Sequence, residues 1–131
     1  YTTYVVAVDA LGSKIFSYDR HDRLIPGLGS GICTKLTPTD GVHKVMHVSA
    51  IECVVGCRRL ARAEAVLAGG SSGGVIAAVE RASEEIPEGS TVVALLPDRG
   101  ERYLDTIYSD EWVQARLGDI AHHWTTSIKE A

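Results

Sequence analysis

Basic residues are in the minority in this chain of 131 residues, with 13 Lys and Arg against 17 Asp and Glu and a net charge of −4, and they form no stripe. A nucleic-acid partner needs such a stripe to neutralise phosphates, so none is expected. Apolar runs long enough to span a bilayer are missing. So is an N-terminal charged region leading into an apolar stretch and a cleavage site, and no membrane partner or secretory leader is expected. With only three cysteines, Cys33, Cys53 and Cys57, the thiols cannot all pair within the chain. That favours a reducing compartment, by default the cytoplasm, over a disulfide framework. Internal repeats and low-complexity linkers are also absent. What is present is 45% hydrophobic and 23% charged, enough for one small domain with a real core.

Tyr4-Val5-Val6-Ala7-Val8-Asp9 is a continuous apolar run ending in an acid, the pattern of a strand buried on both faces of a parallel sheet. A chain that opens inside such a strand reads as the later part of a larger protein. Leu11 to Gly41 is rich in Gly, Pro, Ser, Asp and Thr and predicts a long functional or mobile excursion. Val42 to Val48 predicts a second strand. Ser49 followed by Glu52 makes a capping box, and a helix runs from there to about Ala65. Its apolar face carries Ala50, Cys53, Val54, Cys57, Leu60 and Ala61, which places two cysteines in a core. Val66-Leu67-Ala68 predicts a short strand, Gly69 to Gly74 (GGSSGG) a turn, and Val75 to about Glu85 a helix ended by Pro87 and Gly89. Val75, Ile76, Ala78, Val79 and Ala82 are its expected inward residues. Thr91 to Leu96 (TVVALL) predicts another buried strand. Strands alternating with helices argue for an α/β fold with a doubly wound, mostly parallel sheet and helices on both faces.

In such sheets ligands bind beyond the carboxyl ends of the strands. Three turns meet that condition. GGSSGG offers backbone amides and the hydroxyls of Ser71 and Ser72; taken alone it suits either a phosphate cradle or a plain strand-to-helix turn. In LPDRGERY (Leu96 to Tyr103), Asp98 reads as a cap for the following helical segment, and Arg99 and Arg102 as solvated charges. IPGLGSG (Ile25 to Gly31) has glycines where a backbone approaches a ligand, or a flexible loop bends.

His43, His47, Cys53 and Cys57 are a familiar zinc set by residue type. Two His four apart on one strand lie about 13 Å apart, too far for one ion, so no metal is expected. A GxSxG nucleophile motif is missing, as is a distinctive carboxylate pair.

In order and spacing these turns resemble the C-terminal part of the fold-type II pyridoxal-phosphate enzymes, the tryptophan synthase β-like fold, of the cysteine synthase and cystathionine β-synthase family. IPGLGSG is similar to the family's glycine loop beside the substrate. RRLARAEAVLAGGSSGGVIAAVERA is similar to the helix, turn and helix that carry a GxSSG turn, and TVVALLPDRGERYLDT to the last strand and its following turn. The resemblance covers most of residues 4 to 108 and implies pyridoxal 5'-phosphate as cofactor. It replaces the phosphate-cradle reading of GGSSGG: the family holds the phosphate elsewhere, and the first Ser, here Ser71, meets the pyridine nitrogen. A neutral hydroxyl makes the ring a weaker electron sink than an aspartate would, which suits β-elimination to an aminoacrylate and addition of a nucleophile over transamination. By the same match Pro97 and Gly27 contact the cofactor and Gly29 lines the substrate side.

The family's Schiff-base lysine, ring-oxygen Asn, carboxylate loop and phosphate turn find no match, so no catalytic residue is assigned in residues 1–131. The chain is expected to be the C-terminal part of a homodimeric synthase, inactive without the N-terminal portion. A non-catalytic module of the same fold is the alternative from another class. Pro26, Arg99 and Asp105 depart from the cysteine synthase habit. They look more like the branch that joins O-phospho-L-serine (or O-acetyl-L-serine) to L-glutamate, giving N-(2-amino-2-carboxyethyl)-L-glutamate for 2,3-diaminopropionate in siderophores or antibiotics. Arg99 is then expected to help recruit the substrate glutamate, or else to sit in a surface ion pair. The alternative nucleophile is sulfide, as in a cysteine synthase.

Overall fold

A computed structural model describes residues 2–17, 22–37 and 40–125. Strands β1 (Val6–Ala10) and β2 (Lys44–Val48) pair in parallel, with Val8 opposite Met46 and Ala10 opposite Val48. Their alternation sends Val8, Ala10, Met46 and Val48 into one core and puts Asp9 and His47 on the other face. β1 is less enclosed than its apolar run predicts: burial is reached at Asp9 and Ala10, while Val5 and Val6 remain open.

Helix α1 (Ala50–Glu64) starts where the capping box places it. Ser49 Oγ accepts the Glu52 N–H at 3.2 Å, and Glu52 Oε2 accepts the Ser49 N–H at 2.7 Å. Two of the N–H donors at the start of the helix are thereby satisfied. Cys53, Val54 and Cys57 are buried as the spacing predicts. Gly56, which the apolar pattern does not single out, is buried with them.

Helix α2 (Gly70–Ala82) begins five residues before the predicted Val75, so GGSSGG is helical from Gly70 onward rather than a turn. Glycine weakens a helix by about 0.5–1 kcal/mol per residue relative to alanine. Packing decides the outcome here. A Cβ on Gly73 would fall 1.9 Å from the Cys53 carbonyl oxygen, and one on Gly56 would fall 2.1 Å from the Gly73 carbonyl oxygen. The glycines let α1 and α2 touch backbone to backbone. Of the residues expected to face inward, Ala78 is buried along with Ala77, while Val75, Ile76, Val79 and Ala82 are half-buried.

After a single 3-10 turn (Ser83–Glu85), residues 91–97 run without a strand ladder, and Val93 and Leu95 are 87% and 76% exposed. The predicted buried strand at Thr91–Leu96 therefore has no neighbour among the described residues. Residues 66–68 likewise make only an isolated antiparallel bridge, Ala68 to Arg99, in place of a strand. A 3-10 turn (Gly100–Tyr103) and helices α3 (Asp110–Leu117) and α4 (His122–Thr125) are the last elements among the described residues. They are tied to α1 by Arg58, whose Nε donates to the Ile107 carbonyl at 2.8 Å, whose guanidinium meets Asp110 at 2.8 Å, and which lies over the Trp124 ring. No helix among the described residues is long and apolar enough to cross a membrane.

Candidate functional site

The first turn of α2 is the place where the three turns picked from the sequence meet. Its N-cap, Gly69, has extended backbone and no side-chain cap. The Gly69 N–H donates to the Asp98 carbonyl and the Gly100 N–H to the Leu67 carbonyl, each at 3.0 Å. LPDRGERY is thus laced against residues 67–69. On the opposite side, Ile25 Cγ2 would lie 2.6 Å from a Cβ on Gly70, and Leu28 Cδ2 would lie 3.2 Å from one on Gly74. The glycine loop therefore rests on α2 through its two buried apolar side chains.

The glycines of that loop have a backbone reason. Gly27 and Gly29 adopt φ of +80° and +75°, a region that side chains other than glycine's rarely enter. A Cβ on Gly29 would also strike Ser13 at 2.7 Å, whereas Gly27 faces open space. Ser13 is fully buried, and its hydroxyl accepts the N–H groups of Ser30 (3.1 Å) and Ile15 (3.2 Å). Arg23 braces the loop by donating to the Leu28 carbonyl at 3.3 Å. Between loop and sheet lies a cleft of about 280 Å³, lined by Ala10, Arg23, Ile25, Leu28, Val48 and Ser49 among others.

Ser71 and Ser72 differ in a way their adjacency hides. Ser72 is 0% exposed and its hydroxyl has no hydrogen-bond partner among the described residues, while Ser71 keeps a 6% opening to the surface. Pro97 is exposed beside it in sequence to Asp98, so the two turns present Ser71 and Pro97 from adjoining segments. Arg99 points into solvent, its side chain 87% exposed and its only ion-pair neighbour among the described residues Glu101 at 3.8 Å. Such an exposed contact is worth little.

Asp98 does not cap the following turn as its sequence suggests; that turn starts on Arg99 without a side-chain cap. Its Oδ2 accepts the Tyr103 hydroxyl at 2.7 Å, and its Oδ1 is buried without a partner among the described residues. The hydrogen bond to this carboxylate, followed by burial, raises the Tyr103 pKa. Tyr108 closes the other end of the clasp. Its hydroxyl donates to the Ala68 carbonyl at 2.6 Å and accepts the Ala68 N–H at 3.1 Å, and burial is the main cause of its raised pKa. Tyr103 and Tyr108 were not foreseen; the signal available was a hydroxyl-bearing ring five residues after an acid at the end of an apolar run.

His43 and His47 serve no common centre: His43 is exposed and its Nδ1 accepts the Val5 N–H at 3.0 Å. Among the described residues no group of three or more His, Cys, Asp or Glu is placed to hold a metal ion.

A parallel α/β frame with a small-residue helix N-terminus flanked by two turns defines the class, the fold type II architecture. The pattern of the family described as "Pyridoxal-phosphate dependent enzyme" matches residues 2–98, and the chain belongs to that family. It is similar to the crystal structure of an O-acetylserine dependent cystathionine beta-synthase from Helicobacter pylori, with 27% identity and a TM-score of 0.73 over 81% of this chain and 35% of that one. It is also similar to an O-ureido-L-serine synthase, with 28% identity and a TM-score of 0.74 over 86% of this chain and 38% of that one. The chain therefore spans little more than a third of the length of the structures it matches.

The site's chemistry fits the pyridine end of pyridoxal phosphate. A neutral hydroxyl stands in the first turn of a helix and keeps a small opening to the surface, and the glycine loop that packs on that helix leaves open space at Gly27. The carboxylate of the adjoining turn, Asp98, is turned towards Gly69 and Tyr103.

Proposed function

We propose that this chain forms the C-terminal part of a pyridoxal-phosphate-dependent β-replacement enzyme. The observation that carries the reading is the convergence of the glycine loop and the 96–103 turn on the first turn of α2, with Ser71 at the meeting point. Ser71 binds the ring nitrogen, Pro97 and Gly27 border the ring, and Gly29 keeps the substrate side narrow. The cofactor, when bound, supplies the electron sink that lets a β substituent leave a serine-type substrate. The residues of this chain bind and orient it. The exposed apolar segment 91–97, without a ladder of its own, suits the edge of a sheet completed by the N-terminal portion of a longer polypeptide. The short share of the matched structures that the chain covers supports the same view. Catalysis by residues 1–131 alone is not expected. A homodimer and a cytoplasmic setting, which three free thiols suit, belong to the same proposal.

The substrate pair proposed is O-phospho-L-serine (or O-acetyl-L-serine) with L-glutamate, giving N-(2-amino-2-carboxyethyl)-L-glutamate for 2,3-diaminopropionate. Pro26, Arg99 and Asp105 support it, and the Arg99 guanidinium, held only by a weak exposed pair, is available to an arriving carboxylate. Likeness to an enzyme described as O-acetylserine dependent favours O-acetylserine as the first substrate; the second reading joins it to sulfide as nucleophile.

The test is the absorption of the full-length protein with pyridoxal phosphate, followed by product mass. O-phosphoserine is expected to change the cofactor band, glutamate to restore it, and the glutamate adduct to appear. Restoration by sulfide and not glutamate would replace this reading with the second.

A further inference from the structure

Helix α2 starts without the usual means of capping, and the residue that makes up for this lies in another turn. Its N-cap is Gly69, which has no side chain to meet the first-turn N–H groups. A Cβ on Gly69 would fall 1.9 Å from Asp98 Oδ1 and 2.7 Å from Asp98 Cγ. The Asp98 carboxylate thus lies where a capping side chain at position 69 would begin, and any such side chain would displace it. Two contacts fix it there: the Gly69 N–H donates to the Asp98 carbonyl at 3.0 Å, and the Tyr103 hydroxyl donates to Oδ2 at 2.7 Å. Oδ1, buried and without a hydrogen-bond partner among the described residues, acts on the 13-residue helix as a charge at the positive end of its dipole.

We infer that Asp98, oriented by Tyr103, serves α2 as an electrostatic cap from outside the helix, a carboxylate set against its N-terminus without a hydrogen bond to it, and by doing so holds the Ser71 hydroxyl in place. It is a positioning residue, and its functional half rests on the reading of Ser71 as the ring-nitrogen contact. Removing the carboxylate loosens the first turn, and Ser71 with it.

Two measurements on the full-length protein test this separately. The first is hydrogen exchange of the cofactor-free form at the Gly73 and Gly74 amides; Gly73 is bonded back to the Gly69 carbonyl. Asp98→Ala is expected to speed their exchange about two- to fivefold, the typical effect of losing a charge at the positive end of a helix dipole, and Asp98→Asn and Tyr103→Phe less. The amides of α1 stay unchanged. The second is the dissociation constant of pyridoxal phosphate, expected to rise several-fold in Asp98→Ala and to be partly rescued in Asp98→Asn. Unchanged exchange at Gly73 and Gly74, or an equal rise throughout α1, overturns the inference. So does a cofactor affinity lowered by Ser71→Ala but not by Asp98→Ala. Faster local exchange with a cofactor affinity indifferent to both Asp98→Ala and Ser71→Ala upholds the cap, and it is then the Ser71 reading that fails.

Discussion

Cys57 donates its thiol proton to the Gly69 carbonyl at 3.1 Å, and Cys53 packs beneath the same helix crossing. Burial pushes the Cys53 thiol up to about 12 and the Cys57 thiol up to about 11, from an ordinary 9.0. A thiol reagent is therefore expected to label Cys33 alone in the native protein, since Cys33 is exposed and the other two are neither accessible nor ionised. Rapid labelling of all three would show that the α1–α2 contact opens in solution. The pH dependence follows from the sign of the shifts. The unfolded chain ionises these thiols near 9 while the fold keeps them protonated. Stability is therefore full below pH about 9 and falls as pH rises towards 11 and 12. Melting temperatures from pH 8 upward should decline, and the Cys53→Ala, Cys57→Ala double variant should decline less steeply. The burial of these cysteines was legible, because their spacing lies on one helix face. The Asp98–Tyr103 pair was not, because its role depends on a segment some thirty residues away that folds against it.

At the level of elements, the capping box made the start of α1 readable to the residue, since both partners lie within one turn of sequence. The start of α2 was hidden for the opposite reason: five small residues with poor helix propensity are helical because another helix leans on them. The two effects make opposite predictions for Gly56→Ala. Propensity alone would favour alanine by about 1 kcal/mol. A Cβ placed 2.1 Å from the Gly73 carbonyl oxygen forces the helices apart, a cost of about 3 kcal/mol or more. Urea denaturation should find the variant destabilised; a stabilised variant would mean that the helices do not touch there.

For the molecule as a whole, the α/β class and the places of the three glycine-bearing or polar segments were legible, because apolar runs, glycines and a helix cap are local signals, although one segment, GGSSGG, is a helix start and not a turn. Thr91–Leu96 is apolar, as read, but it is exposed and makes no strand ladder among the described residues, since the partner that would bury and pair such a segment leaves no mark on its own sequence. This surface carries a prediction. Residues 1–131 alone should self-associate in sedimentation experiments, and Val93→Lys with Leu95→Lys should shift them towards monomer. In the full-length protein the same pair should instead destabilise the fold. Monomeric behaviour of the unsubstituted chain would count against a covering strand.

The Gly56–Gly73 crossing has a mechanical side as well. Where these two glycines meet, backbone rests on backbone with no rotamers to readjust, so α1 and α2 resist sliding past each other. A displacement at Ser71 must swing α1 as a lever, and a fluorescent probe on the exposed end of that lever, at Glu64, would report cofactor arrival from well outside the site.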